Sequence, residues 1–165
     1  MSGVTVRPMR RRDRGAIERI VAGVAVFSAG EIETALELVD EWLDEGEESG
    51  YLTYVLEEPD PLVVRGYICF GPTPLTESTW DLYWVAVDPA SQGKGYGQTL
   101  LAFAETEVRQ RGGRLLLIET ASQEAYDATV RFYERAGYEL VSRIPNFYRQ
   151  GDDKLTFGKN LGERR

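Results

Sequence analysis

An apolar strand that runs through three glycines into a helix-forming stretch constrains this chain more than any other feature. Leu82-Tyr83-Trp84-Val85-Ala86-Val87 is almost continuously apolar, a pattern that predicts a strand over Trp80 to Val87 buried on both faces. Asp88-Pro89-Ala90-Ser91 leads away from it. Gln92-Gly93-Lys94-Gly95-Tyr96-Gly97 follows, and a helix is predicted from about Gly95 to Arg111, with Leu100, Leu101, Phe103, Ala104 and Val108 inward. Gly112-Gly113 stops it. Leu115 to Ile118 is a short, fully apolar strand. A strand, a helix and a second strand in this order imply a parallel βαβ unit.

The loop has a physical purpose. Glycines let backbone approach a ligand closely. The first N–H groups of a helix lack internal partners, and with the helix dipole they form a site for phosphate. Lys94 adds a positive charge nearby. The same glycines also fit a flexible helix start with no ligand. The P-loop pattern of Gly-x-x-x-x-Gly-Lys followed by Ser or Thr is absent. A dinucleotide fingerprint would need Gly-x-Gly-x-x-Gly directly after its strand. Here Asp88 to Gln92 intervene and the spacing is Gly93-x-Gly95-x-Gly97, although Glu119 could imitate the ribose-binding acid.

The remaining elements flank this unit. Val4 to Pro8 reads as a first strand. Asp13 is the expected N-cap of a helix carrying Ile17, Ile20, Val21 and Val24 on one face, broken at Ser28-Ala29-Gly30. A second helix carries Ile32, Leu36, Val39 and Leu43. Tyr51 to Glu57 and Leu62 to Phe70 read as a hairpin across Glu58-Pro59-Asp60-Pro61. A further helix runs from about Tyr126 to Ala136 and ends at Gly137. Tyr138 to Val141 and Lys154 to Phe157 read as strands, with Gly151-Asp152-Asp153 turning between them. The 165 residues are enough for one domain with a real core.

Composition narrows the chemistry. There is no histidine, which removes Ser-His-Asp and Cys-His nucleophiles and most catalytic zinc sites. No metal is expected. The single cysteine, Cys69, lies in the apolar run Tyr67-Ile68-Cys69-Phe70 and reads as a small core residue in a reducing compartment. The net charge of −8 disfavours nucleic acid and suits a cationic partner. Arg7, Arg10, Arg11, Arg12 and Arg14 read as a solvated helix start. No run is long and apolar enough for a membrane span, and the N-terminus Met1 to Val6 lacks an apolar signal core. The expected location is the cytoplasm.

Two segments carry a family resemblance. Val85-Ala86-Val87-Asp88-Pro89 through Gln92-Gly93-Lys94-Gly95-Tyr96-Gly97-Gln98 resembles the acetyl-CoA-binding motif of the GNAT superfamily, Gln/Arg-x-x-Gly-x-Gly/Ala after a strand. About thirty-five residues on, Arg131-Phe132-Tyr133-Glu134-Arg135-Ala136-Gly137-Tyr138 is similar to that family's next signature. The order of elements from about Val4 to Leu161 fits too. The resemblance implies a mixed α/β (α+β) GNAT fold: a central, mostly antiparallel sheet of about six or seven strands, about four helices, and a parallel βαβ unit at the cofactor site. It implies a single N-acetyltransferase domain over 1–165, acetyl-CoA as donor, and a small-molecule amine or peptide amine as acceptor. Many relatives dimerise, so a homodimer is among the arrangements it implies.

Roles follow by the same resemblance. The backbone of Val85, Ala86 and Val87 lines the pantetheine arm, and the N–H of Val87 stabilises the oxyanion. Gln92, Gly93, Lys94, Gly95, Tyr96, Gly97 and Gln98 hold the pyrophosphate. Tyr133 is the acid for the leaving thiolate; read without the resemblance it would be a core aromatic. Asp81 lies six residues before Val87, where the histone-modifying branch carries a Glu base; it also fits a turn after Ser78-Thr79. Glu119 is a second candidate base. Tyr83, Glu31, Glu33 and Glu119 are candidates to line the amine pocket. One position departs from the pattern: seven residues before Tyr133, where relatives often carry a cofactor-bonding Asn, stands Tyr126, with Ser122 nearby as a substitute. An inert Cys69 favours direct transfer in a ternary complex over an acetyl-cysteine. A non-catalytic acyl-CoA-binding module is the other reading of the same motifs.

Overall fold

The structure is a computed structural model that describes residues 3–162. Met1 and Ser2, part of the N-terminal stretch considered above for a signal, lie outside the described residues. Among the described residues four α-helices and seven strands follow in the order β1 Thr5–Pro8, α1 Arg14–Gly23, α2 Ala29–Glu45, β2 Leu52–Glu58, β3 Val63–Pro72, β4 Thr79–Val87, α3 Tyr96–Gln110, β5 Leu115–Ala121, α4 Asp127–Arg135, β6 Glu139–Arg149 and β7 Asp152–Asn160. Hydrogen-bonded neighbours follow the order β1-β2-β3-β4-β5-β7-β6. The pairs β1/β2, β2/β3, β5/β7 and β6/β7 are antiparallel, whereas β4 and β5 are parallel from Thr79↔Leu115 to Leu82↔Ile118. The expected mixed sheet with its parallel unit is therefore present. The chain divides into two compact units, one holding the chain up to Gly71 with Tyr83–Thr106, the other Pro72–Leu82 with the chain from Glu107 onward.

In the first unit, Ile17, Ile20 and Val21 of α1 and Val39 of α2 pack with Val55, Tyr67, Cys69 and Ala86 into one fully buried cluster. The helical spacing of these apolar residues is what places them on one face. Ser28 is more than a helix breaker. Its hydroxyl accepts from Glu31 N at 3.1 Å, and the Glu31 carboxylate accepts from Ser28 N at 3.0 Å, so the two close a capping box at the start of α2. Asp13, by contrast, makes no side-chain cap on α1. Its carboxylate accepts from Arg10 N at 2.8 Å and takes the forked guanidinium of Arg7 at 2.8 and 2.9 Å. Arg7 also holds Glu57 at 2.9 Å, tying β1 to β2 and to the chain before α1. The Arg7 guanidinium and the Arg10 amide are the donors that hold Asp13 away from the helix amides.

Two strand readings are corrected. β4 is not buried on both faces: Trp80, Leu82 and Ala86 are buried, while Asp81, Tyr83, Trp84, Val85 and Val87 are half-buried. β6 runs far beyond Val141, to Arg149, and every residue along it is exposed. Its pairing with β7 is interrupted between Ile144 and Arg149, where Pro145 lacks a donor and Asn146 takes a positive φ of 56°. The turn proper is tight, so Asp152 and Asp153 already belong to β7.

The Arg7 network yields a stability prediction. The Asp13 side chain is 4% exposed. Burial pushes its carboxyl up, but the Arg7 fork and the Arg10 amide outweigh that and leave it below its ordinary value of 3.8. A depressed acid contributes stability above its unfolded value and loses it as pH falls. Arg7→Ala strands this carboxylate and should cost about 3 kcal/mol at neutral pH. Urea unfolding checks this, and the gap to wild type should shrink as pH drops below 3.8; a gap that stays constant would contradict the account.

Candidate active site

The glycine loop sits in the first unit, where β4 gives way to α3. A 3-10 turn over Pro89–Ser91 follows β4, and Asp88 closes it by accepting from Ala90 N at 3.1 Å. Gly93 and Gly95 have φ of 87° and 80°, and a Cβ added at either would meet nothing within 4 Å. These glycines are required by the backbone rather than by crowding. The first bond into α3 runs from Thr99 N to Gly95 O at 3.1 Å. The amides of residues 96–98 precede it, at the positive end of a fifteen-residue helix. Such a loop can cradle an anion.

A side-chain network lies behind the loop. Glu58 accepts from the Tyr96 hydroxyl, from Lys94 Nζ at 3.4 Å and from Arg65 Nε at 2.9 Å. Arg65 also donates to Asp88 Oδ2 at 3.1 Å. The Tyr96 hydroxyl, Arg65 and Lys94 together hold the Glu58 carboxyl down at about 2. Lys94 therefore points its charge at Glu58, with its side chain 54% exposed. Sequence reasoning missed Glu58, which reads as a turn residue before Pro59. Its partners lie up to 38 positions away, and no local pattern announces such a pairing.

Tyr83 and Trp84 of β4 both pack against the α1–α2 core, Tyr83 edge-on to Tyr51 and Trp84 edge-on to Phe27, with centroids 5.3 Å apart in each pair. Both rings lie directly before Val85 to Val87 on the same strand. Glu31 is engaged in its capping box, and Glu33 is exposed on α2. Burial pushes the Cys69 thiol up to about 12. Cys69 is a core residue, as its apolar neighbours imply.

The second unit holds the other candidates. Asp81 is half-buried and accepts from the Thr73 hydroxyl at 2.7 Å. Tyr133 is buried on α4 between the rings of Phe132 and Tyr138, and burial pushes its phenol above the ordinary value of 10.0. Tyr126 is buried in the 3-10 turn that starts α4. Glu119 is exposed and paired with Lys154 at 3.2 Å. Ser122 is committed elsewhere: its hydroxyl accepts from Asp153 N at 2.7 Å, while Asp152, 3% exposed, accepts from the amides of Ser122 and Gln123. This buried aspartate, another residue that sequence reading took for a turn, fixes the chain leaving β5.

Comparison with known proteins agrees with this geometry. The sequence model of the Acetyltransferase (GNAT) family matches residues 11–138. A GNAT-family protein from Desulfovibrio desulfuricans is 42% identical, with a TM-score of 0.92 over 97% of this chain and 100% of that one. The Salmonella typhimurium protein yncA, solved with its cofactor acetyl-CoA, is 26% identical, with a TM-score of 0.74 over 99% of this chain and 96% of that one. L-methionine sulfoximine/L-methionine sulfone acetyltransferase, also of Salmonella typhimurium, is 29% identical over 150 residues, which cover 86% of this chain and 84% of the relative. The chain belongs to the GNAT acetyltransferase family. It is an acetyl-CoA-dependent N-acetyltransferase, and no helix among the described residues is long and apolar enough to cross a membrane.

Substituting a glycine of the loop tests its role. Gly95→Ala adds a single Cβ at φ near 80°, where it meets nothing within 4 Å, so its effect is on backbone conformation. CoA affinity, measured by calorimetry, should fall at least about tenfold with the fold retained. Unchanged affinity would take the loop out of the cofactor site.

Proposed function

We propose that this protein, acting as a single N-acetyltransferase domain in the cytoplasm, moves the acetyl group of acetyl-CoA directly to the primary amine of a small molecule. The observation that carries the reading is the pair of positive-φ glycines opening α3 behind Gln92, with the first-turn amides of residues 96–98 beside them. The backbone of Val85 to Val87 lines the pantetheine arm, and Gln92 to Gln98 hold the pyrophosphate. Val87 N–H steadies the carbonyl oxygen as the amine attacks.

The amine must first lose a proton, because alkyl ammonium groups have pKa values near about 10. Asp81 takes it through water, its carboxylate held by Thr73. Tyr133 returns a proton to the departing thiolate. Its raised pKa keeps the phenol protonated throughout the physiological range. The Cys69 thiol, buried and raised to about 12, supplies no thiolate and so supports one-step transfer. Tyr83, Glu31, Glu33 and Glu119 are the residues we propose for the amine side, with Tyr126 toward the cofactor. The α-amino group of an amino acid is the first acceptor to try, because the Salmonella relative acts on L-methionine sulfoximine and L-methionine sulfone. The five large apolar side chains exposed along β6, Leu140, Val141, Ile144, Phe147 and Tyr148, favour a homodimer.

Thiol release from acetyl-CoA over a panel of amino acids, polyamines, aminoglycosides and peptides tests the reading. At least one amine should give turnover. Tight CoA binding with no release for any amine would point to a binding module instead. With an active amine, Tyr133→Phe should lower kcat about 10- to 100-fold with little change in melting temperature, and Asp81→Asn should flatten the rise of rate with pH. Wild-type turnover in Tyr133→Phe would remove Tyr133 as the acid.

A further inference from the structure

The glycine loop is held from its ends. Beside Gly93 and Gly95 there is open space, so packing does not fix the loop's middle. At the upstream end, Asp88 N donates to Arg65 O at 2.7 Å, the Asp88 carboxylate takes Arg65 Nη1 at 3.1 Å, and its other oxygen takes Ala90 N. At the downstream end, the Tyr96 hydroxyl and Lys94 Nζ both go to one oxygen of Glu58. Glu58 joins the two ends, because its second oxygen takes Arg65 Nε at 2.9 Å. One carboxylate at the end of β2 thus secures both sides of a turn thirty or more positions away in sequence.

We propose that Glu58 is a positioning residue for the cofactor: through Arg65 and Asp88 on one side and Tyr96 on the other it holds loop 88–96 in its anion-binding shape, and it stations Lys94 beside the pyrophosphate site. Glu58 itself stays out of the cofactor. The charges of Glu58, Asp88, Arg65 and Lys94 sum to zero, so the loop is not repelled from itself before cofactor arrives. The link to Lys94 is the weakest in the network, at 3.4 Å and with a half-exposed side chain, so the ammonium is the member that moves to the incoming phosphate. Tyr96, 9% exposed with its hydroxyl bonded to Glu58, is the member that does not. The proposal rests on the pyrophosphate docking at this loop.

The test is CoA affinity and steady-state kinetics for wild type, Glu58→Ala, Tyr96→Phe and the double variant. In Glu58→Ala the dissociation constant for CoA and the KM for acetyl-CoA should rise about five- to tenfold, while kcat at saturation and the KM for the amine stay within about twofold. Tyr96→Phe removes only a hydroxyl and keeps the ring packed. It should shift CoA affinity in the same direction by less, and the double variant should be no weaker than Glu58→Ala alone, because both changes break one bond. A general loss of structure would lower kcat and raise both KM values together; that outcome, or unchanged CoA affinity in Glu58→Ala, overturns the role of Glu58. Additive losses in the double variant overturn the shared bond. If wild type itself fails to bind CoA, the docking of the pyrophosphate at this loop falls first and this role falls with it.

Discussion

Unpaired amides at the start of a helix are the constraint around which this molecule is arranged. A helix must begin somewhere, and its first N–H groups then need water or a ligand. Here the chain reaches the start of α3 through two left-handed glycines, at φ 87° and 80°. The conformation brings little packing of its own. It persists because side chains elsewhere, Glu58 and Arg65 above all, hold the residues on either side of it.

The rest of the first unit serves the same end. The buried cluster of α1, α2, β2 and β3 gives β4 a firm surface. Tyr83 and Trp84 lean on that surface just before Val85 to Val87, the segment that a cofactor arm would follow. β4 has β3 and β5 as neighbours in the strand order. The second unit uses a different device. Asp152 is buried and fixes the amides of Ser122 and Gln123, so the chain leaves β5 toward Tyr126 and α4 along a defined path.

How much of this could be read from the sequence depended on range. The loop, α3 and the parallel strand were legible because glycine placement, helix period and apolar runs are local signals. The GNAT assignment came from two such local motifs in order. Glu58 was illegible because its meaning comes from partners on β3 and the loop. Asp152 was read as part of a turn for the same reason. β6 defeated pattern reading differently: its apolar residues are exposed and broken by Pro145 and Asn146, so no alternation marks an inward face. Asp13 misled because it looks like a cap, and only the nearness of Arg7 shows why its carboxylate turns away from the helix. For Tyr133 the sequence alone reads a core aromatic, and its burial beside Phe132 and Tyr138 fits that description too; the catalytic role proposed for it comes from the family resemblance.

The role proposed for loop 92–97 is to hold the pyrophosphate. Comparing the affinities of CoA, dephospho-CoA and pantetheine for the wild-type protein tests it most directly. Dephospho-CoA keeps the pyrophosphate and should bind within a few-fold of CoA, whereas pantetheine lacks it and should bind at least about a hundredfold more weakly, as expected for lost charge-assisted hydrogen bonds. Pantetheine binding as tightly as CoA would contradict the account.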